Sequence, residues 1–136
     1  MDIGLFIFAT DYTIRVDELA KAAEDRGYES LWFPEHTHIP ASRKSPFPGG
    51  GELPLEYSHT HDLFVTMAYA AAATSKLVLG SGICLVPQHN HFNVAKAVAS
   101  LDMLSGGRIV FGIGGGWNVE EMNDHGAEYK TRFKLM

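Results

Sequence analysis

Apolar positions along the chain fall into two alternating patterns, short unbroken runs and longer stretches with helical spacing. Ile3 to Phe8 is nearly continuous, which suits a strand buried on both faces, as in a parallel sheet. Val16, Leu19, Ala20 and Ala23 then recur at helical intervals, with Asp17 and Glu18 in the first turn and Gly27 as the stop, and predict a helix. Ser30 to Pro34 is the next strand and runs into Glu35 and His36. Ile39 to His61 is rich in Pro, Gly and Ser around Gly49-Gly50-Gly51 and has no periodic apolar face, so it reads as a long loop, a length usually tied to function. Asp62 caps a predicted helix to about Thr74 that is apolar nearly all round, and such a helix is buried in its own chain or against a partner.

The second half repeats the alternation. Leu77 to Leu85 is a third apolar strand, interrupted by Gly80 and Gly82, where strand glycines signal a bulge or a close backbone contact. Val94, Ala97, Val98, Leu101 and Leu104 form one helical stripe ended by Ser105-Gly106-Gly107. Ile109 to Ile113 is the fourth strand, Asn118 to Asp124 a short helix, and Lys130 to Met136 the start of another. Strands alternating with helices imply right-handed crossovers and an α/β fold with a parallel sheet, either doubly wound or part of a (β/α)8 barrel. Four such units are half of a barrel, whose full form takes about 250 residues.

Composition narrows the class of function. The 136 residues are 46% hydrophobic and 20% charged, ordinary for one globular domain with a real core. A net charge of −5 without a basic cluster argues against nucleic acid as a partner and leaves a small molecule or a protein. The single cysteine, Cys84, excludes a disulfide framework and fits a buried thiol in a reducing compartment. No signal peptide pattern opens the chain, and the apolar stretch Leu63 to Ala73 is far short of the roughly 20 residues that span a bilayer. A cytoplasmic protein without membrane contact is expected.

Candidate chemistry concentrates at the strand ends. Arg108 to Asn118 carries a buried strand into Gly114-Gly115-Gly116 closed by Trp117, a backbone able to approach a flat ligand closely. A dinucleotide fingerprint starting at Gly112 needs glycine where Trp117 stands, so that reading fails. Three His-x-His pairs, His36 with His38, His59 with His61, and His89 with His91, raise the option of a metal-dependent hydrolase, although two of them lie in loops or at loop edges and no metal site is assigned. His36 differs from the others because it follows a buried strand at its C-terminal end, the edge where parallel α/β folds bind ligands. Glu35 beside it is a candidate for fixing its tautomer. Nothing near Cys84 in sequence lowers its pKa, which disfavours a nucleophile.

Three segments together resemble the luciferase-like monooxygenase family of flavin- and deazaflavin-dependent oxidoreductases. They are Ser-Leu-Trp-Phe-Pro-Glu-His at 30 to 36, Leu-Val-Leu-Gly-Ser-Gly-Ile at 77 to 83, and the stretch from Ala95 to Trp117 that contains Ser-Gly-Gly-Arg and Gly-Gly-Gly-Trp. Pro-Glu-His, the His-Ile-Pro at 38 to 40 and Gly-Gly-Gly-Trp are most similar to the branch using coenzyme F420, with FMN as the alternative. The resemblance implies a (β/α)8 barrel of which only the first four units are present, truncated at the start of the fourth helix, with the cofactor ring at the C-terminal strand ends. His36 falls on the family's active-site histidine, with Glu35 as its neighbour. Ser81, Gly82, Ile83 and Cys84 fall where many members carry a non-prolyl cis peptide that backs the ring, between Gly82 and Ile83. Gly114, Gly115, Gly116 and Trp117 align with the fourth-strand loop beside the ring. Some F420-dependent members have an acidic proton donor at the position of Trp117, a role this chain does not inherit.

The implied activity is hydride transfer between the cofactor and a small organic substrate, with His36 catalytic. The helices at 62 to 74 and 93 to 104 are the implied homodimer interface. A non-catalytic cofactor-binding or assembly half barrel is the alternative from another class.

Overall fold

A computed structural model describes all of residues 1–136. Four strands, β1 (Gly4–Phe6), β2 (Ser30–Phe33), β3 (Val78–Ser81) and β4 (Ile109–Val110), form one sheet in the order β1-β2-β3-β4 with every pairing parallel. Doubly wound sheets reverse strand order at a switch point, and this sheet runs in sequential order without one. Each strand is shorter than the apolar run that predicts it, because the run continues past the last ladder bond into the loop where the site is built.

The crossovers are α1 (Val16–Asp25), α3 (Leu63–Ala73) and α4 (His91–Ser105); a single turn, α2 (Glu56–His59), breaks the long loop before α3. Local chemistry sets their ends. Asp62 accepts the Val65 N–H at 2.9 Å and Asn90 accepts the Asn93 N–H at 3.1 Å, each satisfying an orphan donor of a helix start. Gly106, at φ 75, closes α4 in the left-handed conformation. Beyond β4 the chain forms α5 (Val119–Asp124) and ends in α6 (Arg132–Leu135). No helix is long and apolar enough to cross a membrane.

The core lies between the sheet and these three crossovers, on one face only. Leu31, Phe33, Leu77 and Leu79 pack with Ala20, Ala23, Leu63, Met67, Ala70 and Leu101 in a single cluster, and each large side chain fully buried there contributes about 1.5–3 kcal/mol. Alternate strand residues point the other way. On that opposite face Trp32 lies across the strands, its indole N–H donating to Ser30 Oγ at 2.9 Å, and the position a Gly80 Cβ would take is 2.2 Å from the Trp32 ring. Gly80 is therefore a packing requirement of Trp32. Two charged side chains tie the helices to the sheet ends through backbone hydrogen bonds. Glu24 accepts backbone N–H bonds from Ser75, Lys76 and Leu77, and those bonds, led by Lys76, lower its pKa to about 2. Arg108 donates to the α3 carbonyls of Ala71 and Thr74 and to Leu77 O, closing the end of α3 against β4.

Candidate active site

The site stands where the polypeptide leaves β2, β3 and β4. Past Phe33, Glu35 and His36 turn to opposite sides. Glu35 is folded back beneath the strand ends: its carboxylate accepts the Leu85 N–H, and its Oε1 pairs with His89 Nε2 at 2.8 Å. With its side chain 3% exposed, Glu35 braces the β3 exit. The hydrogen bond to Glu35 raises the His89 pKa above its ordinary value against the opposing effect of burial. Cys84 lies fully buried beside the same carboxylate, and burial, reinforced by the Glu35 charge, pushes its thiol upward. It remains a thiol, without nucleophilic character.

His36 looks the other way, and its partner corrects the sequence-based expectation. Its Nδ1 pairs at 2.8 Å with Glu121 Oε2 from α5, while Glu121 Oε1 accepts the Thr37 N–H at 3.1 Å. Glu35 is turned away from the ring, because its carboxylate is committed to Leu85 and His89. The His36–Glu121 pair is dry, with side chains 6% and 0% exposed. Around the imidazole stand Tyr57 and Trp117, ring centroids 5.2 and 5.7 Å away, and Phe47 packs on both of those aromatics. Tyr57 comes from α2, inside the stretch that reads as structureless loop, and burial raises its phenol pKa.

The Gly82-Ile83 peptide is cis, as the resemblance implies. Downstream of it, Cys84 N–H donates to Gly112 O and Gly114 N–H to Cys84 O, each at 2.9 Å, so the β3 and β4 exits stay zipped together beyond the sheet proper. The glycine run divides by role. A Cβ on Gly114 would stand 1.7 Å from Ile83 Cδ1, and one on Gly115 would meet Phe133 and Arg132 of α6 at 3.0 and 3.2 Å. Those two glycines make room for neighbouring side chains. Only Gly116, at φ 73, and Trp117 reach the cavity.

That cavity, of about 420 Å³, is lined by Glu35, His36, Gly82, Ile83, Gly116 and Trp117 from the residues expected, and by Phe6, Phe8, Pro34, Tyr57 and Leu85. Ser81, Cys84, Gly114 and Gly115 stand behind this wall and do not line the cavity. Ser81 is fully buried with Oγ donating to Gly112 O at 2.8 Å, Cys84 and Gly114 are held by the β3–β4 zipper, and Gly115 packs against Arg132 and Phe133 of α6. Of the residues missed, Phe6 ends β1, Phe8 and Pro34 lie just past β1 and β2, Leu85 follows β3, and Tyr57 comes from α2. The period of two along a strand marks which residues share a face, but not which face meets a ligand.

The His-x-His pairs do not act as pairs. His36, His59 and His89 bond Glu121, Asp11 and Glu35 respectively, while His38 bonds Asp124 at the surface. The one group of three metal-capable residues, Glu35, Cys84 and His89, takes a single member from one pair.

Comparison with known proteins gives a consistent picture. The model of the family described as luciferase-like monooxygenase matches residues 2–136. The chain is 39% identical over 129 residues to an uncharacterized protein of Mycobacterium tuberculosis, covering 93% of this chain and 46% of that protein. It is 28% identical to the F420-dependent hydroxymycolic acid dehydrogenase of the same organism, over 91% of this chain and 31% of that one. The oxygenating constituent of 3,6-diketocamphane monooxygenase from Pseudomonas putida, solved in complex with FMN, superposes with a TM-score of 0.75 at 19% identity, over 99% of this chain and 36% of that one, a likeness of fold. The chain thus spans about half the length, or less, of the proteins it matches.

Proposed function

The chain belongs to the luciferase-like monooxygenase family, and from that premise we propose that it serves a flavin- or deazaflavin-dependent oxidoreductase that moves hydride between coenzyme F420 and a small organic substrate, with FMN as the alternative cofactor. The observation that carries this reading is a buried imidazole set against a flat-walled apolar pocket at the C-terminal ends of parallel strands. Relatives of the family include F420-dependent enzymes and FMN-binding ones.

The residues present fit a flat ring. Gly82 and Gly116 leave two stretches of wall without a Cβ, Trp117 and Ile83 offer apolar surface, and about 420 Å³ is within the usual range of ligand pockets, about 300–1,000 Å³. The cofactor, when bound, supplies the hydride chemistry. Gly82, Ile83, Gly116 and Trp117 hold the ring; Ser81, Cys84, Gly114 and Gly115 support that wall from behind; Glu35 keeps the β3 exit in place. Phe6, Phe8 and Tyr57 exclude water. His36 hydrogen-bonds the bound molecule and moves a proton at its Nε2.

The same reading makes the four units the N-terminal half of a (β/α)8 barrel in a cytoplasmic homodimer. Val65 and Tyr69 on α3, and Phe92, Met103 and Leu104 on α4, are exposed apolar side chains on the helices expected at the interface. Titration of the purified chain with F420 and with FMN, followed by fluorescence and paired with sizing, tests the proposal. Saturable binding of one cofactor is expected, and binding of neither overturns the cofactor assignment. Binding in a stable dimer without turnover favours a non-catalytic half barrel, a reading supported by the open β1 and β4 edges.

A further inference from the structure

Asn118-Val-Glu-Glu121 has the form of a helix-start capping box, in which the fourth residue reaches back to the N–H of the first. Half of that box is made: Asn118 Oδ1 accepts the Glu121 N–H at 3.1 Å. The other half is not. The Glu121 carboxylate leaves its own helix and takes two partners from the β2 exit, the Thr37 N–H at Oε1 and His36 Nδ1 at Oε2, 3.1 and 2.8 Å away. A fully buried acid diverted from a routine cap onto the one imidazole that lines the pocket is placed for a purpose other than ending a helix.

Resting on the function proposed above, we propose that Glu121 is a positioning residue that fixes His36 as the Nδ1–H tautomer and so presents an unprotonated Nε2 to the pocket. A carboxylate only accepts hydrogen bonds. The proton between the two groups therefore sits on Nδ1, and a neutral imidazole carrying it there is an acceptor at its other nitrogen. His36 Nε2 makes no hydrogen bond within the chain, while the ring lines the cavity between Tyr57 and Trp117. His36 thus receives a proton or a hydrogen bond from what is bound, and the Glu121 charge stabilises the imidazolium that results. The Thr37 N–H holds the carboxylate plane so that this choice is made before any ligand arrives.

Ring nitrogen NMR of the unliganded chain at neutral pH tests this without cofactor or turnover, so its outcome is independent of whether the proposed function holds. The His36 spectrum is expected to show a protonated Nδ1 and an unprotonated Nε2. In Glu121→Gln the Thr37 N–H keeps the amide oxygen, the NH₂ faces Nδ1, and the tautomer is expected to invert to Nε2–H. An unprotonated Nδ1 in the native chain, or an unchanged tautomer in a folded Glu121→Gln variant, overturns the proposal. If the variant does not fold, the native spectrum alone decides.

Discussion

Two histidine–carboxylate pairs, each 2.8 Å long, sit within one short stretch of strand exits, and they do opposite things. Glu35–His89 is closed: the acid is spent on a backbone N–H and on the imidazole, Cys84 seals its flank, and Phe64 packs on the ring. His36–Glu121 is open on one side, with the acid buried and the far edge of the ring on a cavity. Glu35 and His36 are adjacent in sequence, yet the Glu35 carboxylate is spent on the framework while the His36 ring faces the cavity. Function in such a pair follows from whether the imidazole keeps a free nitrogen facing a ligand-sized space.

The comparison breaks most readily at the open pair. His36→Ala is expected to lower turnover by about 10²–10⁴-fold in protein that still binds its cofactor, because general acid–base groups contribute that much. Steady-state kinetics beside a cofactor titration measures it, and full turnover in the variant removes His36 from the mechanism. At the closed pair the expected loss is in stability. Glu35→Ala strands a half-buried imidazole and the buried Leu85 N–H and should cost about 2–3 kcal/mol in urea unfolding. A loss below about 1 kcal/mol, the scale of an exposed pair, would erase the distinction drawn here.

Smaller effects sharpen it. Gly80→Ala drives a Cβ into Trp32 and should destabilise by about 1–3 kcal/mol, read from the same unfolding curve, because the indole has packed sheet on one side. The His89 pKa is raised in the fold, so its pairing with Glu35 stabilises fully below the unfolded value near 6.5 and is lost as pH rises through the folded pKa. Thermal melts should therefore fall on the alkaline side, and His89→Gln should flatten that fall; an unchanged slope assigns it to other groups. Glu24 runs in the other sense. Lowered from 4.5 to about 2, it stabilises above pH 4.5 and loses that contribution as pH drops toward 2. Glu24→Gln should cost about 1 kcal/mol at neutral pH and weaken the acid dependence, as acid titration of the two proteins can show.

Much of the architecture is legible along the chain because strand burial, helical periodicity and capping are local. Asp62 and Gly106 end their helices where their side-chain chemistry and backbone freedom dictate. The cis bond at Gly82-Ile83 is implied only by the resemblance, which sums evidence over a whole motif, whereas the place of His36 at a strand exit is legible from its own neighbours. Tyr57 was hidden because one helical turn in a Pro/Gly-rich loop has too few residues to show a period. Glu121 was hidden for a different reason: its spacing from Asn118 matches a capping box, and the local motif masks the distant partner.

The sequence by itself determined the alternation of strands and helices, the helix ends, and the concentration of histidine, glycine and tryptophan at the strand exits, since each depends on residues a few positions apart. Only the tertiary structure decided that Glu121, 85 residues from His36, and not the adjacent Glu35, meets the imidazole. Neighbouring side chains at a strand exit point to opposite sides, whereas parallel strands in sequential order bring the exits of β2 and β4 to the same edge of the sheet, where α5 can deliver a buried carboxylate to the ring.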